Sequence, residues 1–382
     1  MEQKIYFDNG STSWPKAPGV AEAMGELLQK GAFNINRGNY EGAYEVEGIV
    51  LEAREQLARL FHGEDSRHVI FTPGITYSLN YFIKGFLKPG DHVIVSGIEH
   101  NAVMRPLTQM TYCGVTYDVA DTDTEGSIQA SSVEKLIKPQ TKAVIVSHAS
   151  NVCGTILPIK EIGEICQRHH LFFVVDAAQS AGTIPVDMQE CGIDFLAFTG
   201  HKGLLGPQGI GGFLISGRLD KQMTPYIAGG TGSRSDMLEM PENLPDKYES
   251  GTMNLPGIIG LHAALTYIEE TGLSNIHDKK MELTEYFLGK VKKIDGVRIV
   301  GKRDTRDRVA VVSLDFLRED NAVVAFELEQ EYGVMTRVGL HCAPLAHRSL
   351  RTYPQGTVRF AFSACSTKEE IDRCIDAINK YA

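Results

Sequence analysis

A lysine placed between an apolar strand-like run and a glycine-rich turn is the residue of this chain best suited to covalent chemistry. Lys202 closes the run Ala197-Phe-Thr-Gly-His-Lys202, and glycines follow at 203, 206, 209, 211 and 212. An amine that condenses with an aldehyde must be held rigidly and desolvated enough to lose its proton. Glycines let backbone and ligand approach it closely. A surface lysine in a flexible loop is the ordinary alternative, so its companions decide. Cys342, in Gly339-Leu-His-Cys342-Ala-Pro344, is a thiol in a polar loop beside His341 and is placed for nucleophilic attack. Arg359 alternates with apolar residues in Thr357-Val-Arg-Phe-Ala361, where a guanidinium on an apolar strand face clamps a carboxylate or makes a structural ion pair.

Four more polar groups follow apolar runs. Asp176 begins Asp176-Ala-Ala-Gln179; a carboxylate there serves either a pyridine nitrogen or the cap of the next helix. Thr72-Pro-Gly-Ile-Thr76 feeds a helix starting near Thr76, and free amides at a helix start suit a phosphate dianion as well as simple capping. Glu99-His100-Asn101 offers an imidazole that either stacks on a planar ring or packs as an ordinary histidine. Asn151, in Ser150-Asn151-Val152, is a turn asparagine able to hydrogen-bond a cofactor oxygen.

These groups require a scaffold that gathers strand ends. Short runs rich in β-branched residues occur at His68–Phe71, His92–Val95, Lys142–Val146, Leu171–Val175, Phe195–Phe198 and Gly212–Ile215. Runs apolar on both faces and separated by helix-length segments predict an α/β fold with a mostly parallel sheet covered on both sides. Ligands bind beyond the carboxyl ends of such strands. Val46, Ile49, Val50, Ala53, Leu57 and Leu60 keep helical spacing. Residues 228–256 form a long polar loop, and a helix runs from Gly257 to about Glu270. Strands at Val297–Val300, Val309–Leu314 and Val358–Phe362, with helices at Ala322–Tyr332 and Lys368–Tyr381, predict a smaller C-terminal α+β domain.

Composition narrows the partners. The 382 residues are 43% hydrophobic and 23% charged, with a formal net charge of -10, which argues against nucleic acid or an anionic membrane surface. No apolar run reaches spanning length and the first residues lack a signal core, so a cytoplasmic protein is expected. The cysteines at 113, 153, 166, 191, 342, 365 and 374 show no metal-type spacing, and no metal is expected. All but Cys342 read as small apolar residues.

Taken together, Glu99-His100, Ser150-Asn151-Val152, Asp176-Ala-Ala-Gln179, Thr199-Gly-His-Lys202, Glu249-Ser-Gly-Thr252, Arg337-Val-Gly-Leu-His-Cys342 and Arg359 make the chain resemble fold-type I pyridoxal-phosphate enzymes. The likeness, from Tyr6-Phe-Asp-Asn-Gly10 to the last helix, is to the class V aminotransferase superfamily, and within it to the cysteine desulfurase/selenocysteine lyase family. It implies a seven-stranded large domain over residues 15–260, and a small domain of residues 1–14 and 261–382 carrying Cys342 and Arg359. It also implies that Lys202 holds pyridoxal 5'-phosphate covalently, Asp176 pairs with the ring nitrogen, Gln179 bonds the phenolic oxygen and His100 stacks on the ring. Thr76, Thr199 and His201 hold the phosphate, and Thr252 reaches the phosphate of a neighbouring subunit, hence a homodimer. Arg359 and Asn151 fix the carboxylate of L-cysteine or L-selenocysteine, Lys202 moves the α-proton, and His100 assists as a proton donor. Cys342 takes the sulfur as a persulfide for an acceptor protein. The short stretch from Cys342 to Arg359 resembles the Suf-type (group II) branch. Selenocysteine lyase, aminotransferase, epimerase and C–S lyase activities are the alternatives on the same scaffold. Tyr77 and Asn101 depart from the family pattern, in which an acidic residue and a second histidine are common.

Overall fold

The computed structural model describes residues 4–35, 38 and 40–382. Its centre is a seven-stranded sheet in the spatial order Val69–Thr72, Gly211–Ile215, Phe195–Thr199, Phe172–Asp176, Thr141–Ser147, His92–Ser96, Thr116–Ala120. Only Gly211–Ile215 pairs antiparallel with its neighbours; every other pairing in this sheet is parallel. The expected mostly parallel α/β sheet is therefore present. Alternate residues of each strand enter different cores. Val144, Val146, Phe173 and Val175 pack with Val46, Val50, Ala53 and Leu57 of the helix Glu41–Leu60. Ala143, Ile145, Phe172 and Val174 face the other way, onto Leu79, Phe82, Val103 and Leu107 of the helices Ile75–Phe86 and Asn101–Thr111. Burial on both faces explains why these runs are apolar without alternation.

The C-terminal part is built on an antiparallel sheet ordered Arg337–Gly339, Thr357–Ala361, Val311–Phe316, Val297–Val300. The helices Leu273–Val291, Asn321–Tyr332 and Lys368–Ile378 supply Leu283, Phe287, Leu328, Ile371 and Ile375 to its core with Leu314 and Phe360. The N-terminal strand Ile5–Tyr6 pairs with Val334–Met335, which carries the next residues, Phe7 to Ser13, across to the large sheet. The helix Leu255–Thr271 packs on the helices Val20–Lys30 and Glu41–Leu60.

Several elements differ from the sequence expectation. The strand Thr116–Ala120 was not anticipated, because it is an edge strand whose first four residues are exposed or half-buried and read as polar. The helices Val20–Lys30 and Leu273–Val291 were also missed. The strand expected at Val309 begins at Val311, since Val309 donates its N–H to the Gly154 carbonyl instead. The last helix ends at Ile378 rather than Tyr381.

The long segment before Leu255 is tied down by a buried ion pair. Arg54 forks onto Glu249 at 2.9 and 2.6 Å, and Glu249 also accepts the Phe71 N–H at 2.7 Å. Both side chains are nearly inaccessible, 7% and 6%. Glu249→Ala leaves a buried guanidinium without its counter-charge, so we expect a loss of about 3–5 kcal/mol of unfolding free energy, read from urea denaturation.

Candidate active site

The carboxyl ends of parallel strands share one edge of the sheet, and the polar residues gather there. Asp176 ends its strand fully enclosed. One carboxylate oxygen accepts the Ala178 N–H at 2.9 Å, and among the described residues no cationic side chain forms an ion pair with it. Burial raises its pKa, against the Ala178 bond and the charge of Lys202. Lys202 follows Thr199 by three residues, and burial of its amine lowers the pKa to about 8, with Asp176 opposing and Arg359 and Arg337 adding to the shift. An amine so placed exchanges protons near neutral pH.

His100 caps the helix Asn101–Thr111, its Nδ1 accepting the Ala102 N–H at 3.0 Å. That bond places the neutral ring's proton on Nε2. Burial first, then Lys202, Arg337, Arg359 and Arg105, lowers its pKa to about 3. His100 is thus a neutral imidazole offering an Nε2–H hydrogen bond. Behind it, Glu99 accepts from Ser147 N at 2.8 Å and Ser147 Oγ at 2.9 Å, fastening the ends of two strands together.

The turn Thr72-Pro-Gly-Ile-Thr76 lies beside Thr199: a Cβ on Gly74 would sit 3.8 Å from the Thr199 hydroxyl. The approach depends on Gly211, where a Cβ would fall 2.8 Å from the Gly74 Cα and 2.7 Å from the Phe198 carbonyl. The helix starts at Ile75, so the amides of Ile75 and Thr76 have no acceptor within the helix. His201 has a buried Nδ1 without a partner. Gln179 donates to the Gly10 carbonyl at 3.0 Å.

Cys342 is exposed, and both it and His341 adopt left-handed backbone, with φ of 58° and 48°. Two bonds to segments that follow strands of the large sheet hold this costly conformation. The Cys342 carbonyl accepts the Asn101 N–H at 2.8 Å, and the His341 carbonyl accepts Asn151 Nδ2 at 2.8 Å. Here the structure corrects the sequence reading that paired the thiol with His341. The buried imidazole is turned to Thr357 Oγ1 at 3.0 Å, and burial lowers its pKa well below the usual value. The charged group at the sulfur is Arg337, with Nη2 3.5 Å from Sγ. Its signal was its cross-strand register: Arg337 stands directly opposite Arg359.

Arg359 is 1% exposed. Nη1 donates to the Asn151 carbonyl at 3.0 Å, Nη2 to Asp8 at 2.9 Å and to Ser11 at 2.8 Å, and Nε is buried without a partner. Gly10 packs against it so closely that a Cβ would lie 3.0 Å from Cζ. Asp8 and Gly10 were quoted from the sequence only within the likeness of Tyr6–Gly10, with no role given to them, and Ser11 was not singled out at all. Thr252 stands beside the Thr72-Pro73 turn rather than among Lys202, Asp176 and Cys342. It is exposed and lines a cavity of about 230 Å³ with Thr72, Pro73 and Tyr77, which none of Lys202, Asp176 or Cys342 lines.

The fold and this clustering of amine, carboxylate and helix-start amides define a class of cofactor-dependent α/β enzymes. The chain belongs to the class-V aminotransferase family, whose model matches residues 5–374. It is 33% identical over 387 aligned residues to a probable cysteine desulfurase of Methanothermobacter thermautotrophicus, covering 100% of this chain and 96% of that protein. The apo structure of a cysteine desulfurase from Thermococcus onnurineus NA1 superposes with a TM-score of 0.92 at 32% identity, covering 99% of this chain and 94% of that one. The cysteine desulfurase CsdA of Escherichia coli, as its S-sulfonic acid, superposes at 0.89 and 27% identity, again covering 99% and 94%.

Pyridoxal phosphate, the coenzyme of this family, fits the donor set. A buried carboxylate lacking a cation suits a protonated ring nitrogen, and unpaired helix-start amides suit a phosphate. The histidines around the site carry a pH signature. Burial lowers His148, His201 and His347 to about 4, and His100 to about 3. Each binds a proton more weakly folded than unfolded, so their contribution to stability is complete above the unfolded value of about 6.5 and is lost as pH falls toward 4. Urea midpoints measured from pH 7.5 down to pH 4.5, roughly that window, should fall steadily, and less steeply in His148→Gln.

Proposed function

We propose that this protein is a cysteine desulfurase, converting L-cysteine to L-alanine and retaining the sulfur as a persulfide on Cys342. The observation that carries the reading is the juxtaposition of a pinned, exposed thiol with a buried arginine on the adjoining strand. Arg359 receives the substrate carboxylate on the edge of Nε, which has no partner, and Nη2, which exchanges one of its two acceptors, Asp8 or Ser11, for the substrate. Asn151 acts by holding the Cys342 loop and presenting its carbonyl to Arg359.

Bound pyridoxal phosphate supplies an aldehyde for amine linkage and a protonated ring that withdraws electrons from the amino acid's α-carbon. Lys202 is the residue to which it links, and the amine then moves the α-proton, for which a pKa near 8 is suited. Asp176 holds the ring nitrogen, Gln179 the phenolic oxygen, and His100 covers the ring face. Thr76, Thr199 and His201 take the phosphate. The Cys342 thiolate attacks the substrate sulfur, so that an S–S bond forms and the carbon–sulfur bond breaks. The released electron pair stays on the carbon skeleton, which is protonated and leaves as alanine.

Thr252 completes the phosphate site of a second copy. Its exposure supports that reading, as do the exposed Tyr77 and Ile227 lining its cavity. The pinned Cys342 loop cannot swing far, so a sulfur-acceptor protein comes to it, as in the Suf-type branch. All seven cysteines are free thiols, which suits the reducing cytoplasm. No described helix is long and apolar enough to cross a membrane.

Mass spectrometry after mixing the cofactor-loaded enzyme with L-cysteine should show one added sulfur atom on the Cys342 peptide, and borohydride should fix the cofactor to Lys202. Cys342→Ala should lower alanine formation at least about 100-fold. Arg359→Ala, losing a charge-assisted carboxylate contact, should raise the KM for cysteine by about 10- to 100-fold. An unmodified Cys342 peptide would sink the proposal.

A further inference from the structure

Two guanidinium groups stand directly opposite each other on neighbouring antiparallel strands, Arg337 against Arg359. Like charges in that register repel. Each lowers the comfort of the other, and Arg337 is among the causes that depress the pKa of Arg359, after burial. The protein inserts a single hydroxyl between them. Ser11 Oγ accepts from Arg337 Nη1 at 3.0 Å and from Arg359 Nη2 at 2.8 Å, and donates to Asp8 Oδ1 at 2.8 Å. A serine hydroxyl has one donor and two acceptor positions, so Ser11 is saturated and fixed in orientation.

Arg337 depends on that hydroxyl. Arg359 has three other anchors in the Asn151 carbonyl, Asp8 and the face of Gly10. Among the described residues Arg337 forms no ion pair, and its side chain has two hydrogen-bonded contacts: Ser11 Oγ and, through Nη2, Cys342 Sγ. Remove the first and a long, half-exposed side chain has only a sulfur at 3.5 Å to hold it.

We infer that Ser11 is a positioning residue that holds Arg337 against the sulfur of Cys342 and joins that contact to the carboxylate clamp at Arg359. The inference rests on the reading of Cys342 as the sulfur nucleophile. A guanidinium fixed at this sulfur orients it for the attack and offers a hydrogen-bond donor to the persulfide afterwards. Because Arg359 Nη2 also serves Ser11, a carboxylate arriving at that edge competes for the same donor and leaves Ser11 more fully engaged with Arg337. Substrate binding therefore tightens the hold on the nucleophile.

The test uses the full, cofactor-loaded enzyme, with kcat and KM for alanine formation from L-cysteine and the rate at which iodoacetamide alkylates Cys342. Ser11→Ala should lower kcat about tenfold, the worth of one charge-assisted hydrogen bond, while KM shifts less than about threefold. Alkylation should slow in parallel, Ser11→Thr should restore both, and Arg337→Ala should lose at least as much as Ser11→Ala. Wild-type turnover and alkylation in Ser11→Ala, alongside an impaired Arg337→Ala, would overturn the role of Ser11 alone. A rise in KM with kcat unchanged would overturn it too, by restricting Ser11 to Arg359. Full turnover in Cys342→Ala would instead remove the nucleophile reading on which the inference stands.

Discussion

The site depends on charges that the chain encloses without fully neutralising. Asp176 is buried with a single backbone donor, the Lys202 amine is desolvated, and Arg359 keeps a buried Nε with no acceptor. Each arrangement costs free energy in the protein alone, because a buried ionic group without its partner loses hydration that nothing replaces. The same deficit is what a ligand can satisfy. In the proposed reading a cationic ring nitrogen, an aldehyde and a carboxylate answer these three groups in turn. A fully satisfied network would have been more stable and would have bound nothing.

Holding those groups in place is the work of the rest of the fold. The parallel strands deliver Thr72, Glu99, Asp176 and Thr199 to one edge because each ends there and each is fixed by two apolar faces. The small sheet must then be registered against that edge. Arg308, 1% exposed, does part of this: it donates to the Cys153 carbonyl at 3.1 Å and the Val311 carbonyl at 2.6 Å, one from each side. Ser313 Oγ adds a bond to the Val152 carbonyl at 2.7 Å. Both contacts fall next to Asn151, so the strap between the sheets lies beside the residue that holds the Cys342 loop.

What the sequence revealed followed from local pattern. Strands buried on two faces are legible as continuous apolar runs, and Lys202 and Asp176 stand at the ends of such runs. Thr116–Ala120 was not, because an edge strand with a wet face has no such signature. The larger omission was Asp8, Gly10 and Ser11. Asp8 and Ser11 reach Arg359 across about 350 positions, separations of 351 and 348, and no spacing rule connects residues so far apart. Asn151 was found for its position, yet what its amide holds is the Cys342 loop, which only the folded chain brings within reach. His341 misled for the converse reason: adjacency in sequence suggested contact with the thiol, whereas consecutive left-handed residues turn the imidazole toward Thr357.

On the proposed reading of Cys342 as the sulfur carrier, the backbone at His341 and Cys342 also constrains how sulfur travels. Left-handed conformation in two successive non-glycine residues costs on the order of 1–2 kcal/mol each, and Asn101 and Asn151 help to hold the loop there through its two carbonyls. Four residues separate Gly339, the end of one strand, from Pro344, the start of the next helix. A chain that short, fastened at two points, presents its exposed thiol to solvent but carries it nowhere. On that reading mobility belongs to the proposed acceptor, whose own nucleophile would reach Cys342 where it stands, past the Arg337 guanidinium. An acceptor bearing a negative charge near its attacking group would meet that cation favourably, and one bearing a positive charge would be repelled. The rigidity that aligns the thiol with the substrate thus also selects which protein can empty it.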